Sequence, residues 1–127
     1  MHSLMAVILN DVAQLEYDRN KQLPPQQELY LDKMDQKMDG GIQLGDEIIQ
    51  NPDLNQRVQF VAGNLAHAII NDEEATAAAL CAYLATRLPD LKQVKIDNRQ
   101  GGQPGDIAIE LVFDEDYKKQ VAVQFFH

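Results

Sequence analysis

Apolar residues recur along this chain with two different periods, and the change between them divides it into a helical part and a β part. From Pro25 to Asp39, Gln27, Leu31, Met34 and Met38 lie three or four positions apart, with Tyr30 four before Met34. That spacing returns them to one face of a helix. Pro24 and Pro25 stand where a first helical turn tolerates proline, because that amide has no intrahelical partner. Gly40-Gly41 then offers the left-handed conformation that ends a helix.

A second helix is predicted from Pro52 to about Ile70, with Asn51 as its cap. Leu54, Val58, Val61, Leu65 and Ile69 form its stripe, widened by Ala62 and Ala68. A third follows at once, with Asn71 as cap and Glu74 reaching back to complete a capping box. It runs to about Leu88, where Pro89 forbids continuation. With so little chain between them, the two helices should pack antiparallel as an α-hairpin over about 52–88. Alanines from Ala75 to Ala85 spread around the third helix and let other elements approach closely.

Beyond Pro89 the period becomes two. Val94 and Ile96 alternate within Lys92–Asp97, and Ile107, Ile109, Leu111 and Phe113 alternate after a Gly-rich turn at 98–105. Val121, Val123 and Phe125 repeat the pattern after the polar turn 114–119. The expectation is a three-stranded antiparallel β-meander over about 92–126, its apolar face on the α-hairpin. The other face carries Ala108, Val112, Ala122 and Phe126, which calls for cover by the N-terminal segment or another chain.

Two segments read less plainly. Leu4, Ile8, Val12 and Leu15 make a helical stripe over residues 3–17, while Ala6-Val7-Ile8-Leu9 equally fits a short buried strand; the helix is preferred. Residues 42–50 read as a loop with a turn around Ile48-Ile49. The fold class expected is α+β: a helical N-terminal part and the α-hairpin packed on the meander, in one domain over 1–127.

Composition narrows the function. An apolar fraction of 45% and a charged fraction of 24% are those of a globular chain. Twenty acidic against eleven basic residues give a net charge of −9, which repels phosphate backbones and anionic membranes. The one basic grouping available to nucleic acid is Arg57, Arg87, Lys92, Lys95 and Arg99. The same charge suits a basic protein partner or a cation. Cys81 is the single cysteine, so no intramolecular disulfide forms. The apolar run Leu4–Leu9 lacks a basic flank and is too short to span a bilayer, and a cytoplasmic location is expected.

Catalytic chemistry finds little support. Cys81 sits mid-helix without an evident base, His2 and His127 are terminal, and His67 lies opposite its helix's apolar stripe. The glycines of 101–105 precede a strand and lack the Lys-Ser/Thr of a phosphate loop. The acidic trio Asp32, Asp35 and Asp39 shares one helical face and is the candidate metal site, for Mg²⁺ or Ca²⁺. The reading preferred is a non-catalytic accessory protein without cofactor. It would bind a protein partner or itself, through an interface at Val112, Ala122 and Phe126. The alternative is a divalent-cation-binding module or small metal-dependent enzyme built on the acidic trio. A nucleic-acid-associated protein is a third reading, disfavoured by charge.

Overall fold

A computed structural model describes residues 4–21, 23–98 and 107–115. The architecture is mixed α+β. A hairpin of β1 (Leu4–Leu9) and β2 (Val12–Asp18) precedes helix α1 (Pro25–Asp39). A small hairpin follows, β3 (Ile42–Leu44) and β4 (Glu47–Ile49), then helices α2 (Leu54–Ile70) and α3 (Glu74–Arg87). Strands β5 (Gln93–Asp97) and β6 (Ala108–Val112) complete the described order. Among the described residues no helix is long and apolar enough to cross a membrane.

The N-terminal segment is a β-hairpin, not the helix preferred from its spacing. Asn10 and Asp11 both take left-handed backbone angles, φ 50° and 70°. Two such residues form the tight turn whose twist matches paired strands, and Asn and Asp adopt it at low cost. Residues 42–50 likewise form a hairpin instead of a loop, turning at Gly45-Asp46 with Gly45 at φ 60°.

The larger sheet has the order β2-β1-β5-β6. β5 and β6 pair antiparallel, as the meander reading expects, but β1 lies against β5 in parallel. The sheet therefore recruits the N-terminal hairpin and is not a self-contained C-terminal meander. The strand expected over 121–126 lies outside the described residues. Asn10 locks the β1–β5 junction: its amide N–H donates to the Ile96 carbonyl at 2.8 Å, and its side chain exchanges two hydrogen bonds with Asn98.

Residues opposite one another share a face. The row Leu15–Val7–Val94–Leu111 crosses the sheet and packs on the helices with Met5, Tyr17 and Ile96. Val61, Leu65, Tyr83 and Leu84 of the α2–α3 hairpin are buried beneath it. Along β6 and the residues flanking it, Ile107 and Leu111 reach the core as expected, whereas Ile109 and Phe113 are exposed.

The helix ends differ in detail from the sequence pattern. α1 matches its predicted bounds, with Pro25 in its first turn, and buries Leu31 and Met38 while leaving Tyr30 53% exposed. α2 is capped by Asp53, not Asn51: the Asp53 side chain accepts from the Gln56 amide at 2.8 Å, and the Gln56 side chain accepts from the Asp53 amide at 2.9 Å. Asn71 closes α2 and does not cap α3. Asp72 takes φ 58°, and the Glu73 and Asp72 amides donate to the Ala68 and Ile69 carbonyls, at 2.8 and 3.3 Å. Those two bonds are the paired closure of a Schellman motif, with aspartate in the place glycine usually holds.

Candidate functional site

The three aspartates of α1 do share a face, and two arginines occupy it. Asp35 is the centre. Its Oδ1 accepts the Tyr83 hydroxyl at 2.5 Å and Arg57 Nη1 at 3.2 Å, and its Oδ2 accepts Arg87 Nε at 3.0 Å. Asp39 pairs with Arg57 Nη2, and Asp32 with Arg87 Nη2 at 3.3 Å. Arg57 also donates to the backbone carbonyls of Pro52 and Asp35, at 2.9 and 3.0 Å. The Arg87 guanidinium lies over the Tyr83 ring, 5.2 Å from its centroid. The network rivets α1 to the first turn of α2 and the last turn of α3.

Burial raises the Asp35 carboxyl, but the hydroxyl of Tyr83 and the guanidiniums of Arg87 and Arg57 outweigh it, so the pKa falls below the ordinary carboxylate value. Tyr83 moves up, through burial and because its proton is held by that carboxylate. The hydrogen bond to Asp39 raises Arg57. Every acidic residue of the trio thus faces a fixed cation, and among the described residues no group of three or more His, Cys, Asp or Glu is arranged to hold a metal ion.

The same pairs engage two members of the basic grouping. Arg57 and Arg87 are committed to α1, Lys95 lies 3.7 Å from Glu115, and Arg99 lies outside the described residues. Of the expected interface trio, Val112 is 6% exposed, buried like its cross-strand partner Gln93 and like Ala6, which pairs with Gln93 on the other side; Ala122 and Phe126 lie outside the described residues. Cys81 is buried, which pushes its thiol up to about 12 although Arg19 opposes the shift. A thiol so placed stays protonated and is no nucleophile.

Arg19, just after β2, was not singled out by its sequence context. Its guanidinium donates to the carbonyls of Ala85, Leu88 and Leu91, at 3.2, 3.0 and 2.7 Å. It satisfies the acceptors that the end of α3 leaves open and ties them to the hairpin.

Two clefts flank the helices. One, of about 330 Å³, lies between α1 and the middle of α2, lined by Tyr30, Met34, Phe60 and Leu80. The other, of about 430 Å³, lies between β2 and the α2–α3 turn. Gln14 and Leu15 form its strand side. Ala68, Ile69, Ala77 and Ala78 form an apolar floor, and Asp72, Glu73 and Glu74 form its rim. β2 is the end of the sheet among the described residues, so this cleft runs beside a strand edge. No family model, curated protein or solved structure matches the chain.

Proposed function

We propose that the chain is a non-catalytic interaction module that holds a protein partner along β2 and its adjoining cleft. The observation that carries this is the position of β2: the last strand of the described sheet, open on one side to a 430 Å³ cleft with an apolar floor. A strand edge presents backbone donors and acceptors that another chain can pair with. The cleft's size lies within the range of sites that bind ligands. Leu15 and Tyr17 pack toward the helices, so side chains of a partner bound along the edge would enter the cleft on the same side.

Association of two copies through this edge is opposed by charge. Asp11, Glu16 and Asp18 lie on or beside β2, and Asp72, Glu73 and Glu74 stand across the cleft. Pairing β2 with itself would bring both sets together. This edge is therefore not expected to pair with a second copy, and any dimer found by light scattering on a sizing column should leave hydrogen exchange in Val12–Asp18 unchanged.

Selection of short random peptides on the immobilised chain, followed by hydrogen exchange of each complex, tests the reading. Enriched peptides should slow exchange in Val12–Asp18. A selection without enrichment, or protection confined to other elements, would remove it.

A further inference from the structure

We infer that the partner segment is cationic and extended, and that it binds as an added strand on β2 with a lysine or arginine side chain laid in the cleft. The inference rests on the interaction reading above and specifies the partner's chemistry. The cleft is lined by two kinds of group. Its lining combines small apolar groups, the buried Ala68 and Ala77 with the exposed Ala78, and the exposed carboxylates of Asp72, Glu73 and Glu74. None of those three carboxylates makes a side-chain hydrogen bond or ion pair among the described residues. A long basic side chain has the matching division: an aliphatic stem that packs on apolar surface and a charged head that seeks an anion.

The rim stands at the start of α3, whose dipole places roughly half a positive charge there. Three carboxylates exceed that charge, so the rim is net negative and selects a cation. The strand side agrees. Gln14 opposes no residue of β1, because the register shifts between Val7–Leu15 and Ile8–Ala13. From Leu15 to Asp18 the pairing is unbroken, and that stretch is the template for an added strand. Alternate residues of such a strand face the helices, so one of them lies over Ala77 and Ala78 with its head directed at Glu73 and Glu74.

The test uses the full chain and a synthetic peptide alternating lysine with valine, read by fluorescence anisotropy. Three companions accompany it: the same peptide with glutamate for lysine, the lysine peptide N-methylated on alternate backbone amides, and spermidine as competitor. Expected are binding of the lysine peptide that weakens with added salt, no binding of the glutamate or N-methylated forms, and poor competition by spermidine. The exposed pair E73K and E74K, checked for folding by circular dichroism, should weaken binding at least roughly tenfold, since like charges across an interface are costly. Equal binding of the N-methylated peptide would overturn strand addition. Full competition by spermidine would make the cleft a small-cation pocket, not a peptide site. Absence of lysine-peptide binding, or binding unchanged by E73K and E74K, would overturn the inference. Acidic or neutral peptides that still protected β2 in the selection above would leave the interaction reading standing without it.

Discussion

Arg87 brings two of its nitrogens to one oxygen of Asp35: Nε at 3.0 Å and Nη2 at 2.9 Å from Oδ2. Both side chains are about three-quarters buried, with 26% and 29% of their surfaces exposed. The pair joins the middle of α1 to the last turn of α3. α1 buries little else besides Leu31 and Met38, so its docking depends on this polar contact.

Replacing Asp35 by Ala should therefore destabilise the fold by about 1–3 kcal/mol, because the Tyr83 hydroxyl and both guanidiniums lose an acceptor. A double-mutant cycle with Arg87→Ala should show coupling of about 0.5 kcal/mol or more. Urea denaturation of the four proteins measures it, and strictly additive losses would show that solvent screens the pair.

The same carboxyl gives an acid response of defined sign. Its folded pKa lies below its unfolded value, so the unfolded chain binds more protons as the solution is acidified. The stabilisation is complete above the unfolded value of about 3.9 and is lost as pH falls toward the folded one. Urea midpoints should decline in that acidic window, and Asp35→Asn should flatten part of the decline. Equal slopes in the two proteins would assign the response to other carboxylates.

Divalent cations are expected to leave the thermal midpoint unchanged. A ligand raises it only by binding the folded state, and the oxygens of Asp32, Asp35 and Asp39 already accept from Arg57 and Arg87. A rise with Mg²⁺, Ca²⁺ or Mn²⁺ that disappeared on changing the three aspartates to asparagine would show that a cation displaces the arginines.

Arg19→Ala should cost about 1–3 kcal/mol, since three backbone carbonyls lose a charged donor. Arg19→Lys should recover a minority of that loss, because one ammonium cannot reproduce the planar fork. Hydrogen exchange should quicken in the last turn of α3 and the following turn. Unchanged exchange there would show that water replaces the guanidinium without loss.

The helices were legible because each carries a complete local signal. For α1, a proline start, a three-and-four stripe and a glycine end agree, and the observed bounds follow them. Caps were less legible. Asn51-Pro52 and Asp53 both resemble helix starts, and the reciprocal bond with Gln56 decides for Asp53. The N-terminal hairpin was misread because Leu4, Ile8, Val12 and Leu15 repeat at helical spacing, while the turn lies in the two left-handed angles of Asn10 and Asp11. No local pattern could reveal that β1 pairs with β5, since the pairing joins distant stretches of chain.

The candidate site divides the same way. The common face of Asp32, Asp35 and Asp39 follows from their spacing, but its use is set by Arg57 and Arg87, which arrive from other helices. The β2 cleft could not be seen while its strand was read as a helix. Its other wall, Asp72-Glu73-Glu74, was visible as a helix start whose three-dimensional neighbour was missing.

The inner position of β1 has a consequence for how the chain is made. β1 and β2 are synthesised before β5, yet β1 is completed on its second side only by β5, and Asn98 lies 88 positions after its partner Asn10. Until β5 is made, β1 lacks its second neighbour and the hairpin carries an open edge on each side. All three helices lie in sequence between two strands that end up side by side. Closure of the sheet therefore waits for β5, a long-range pairing of the kind that slows folding.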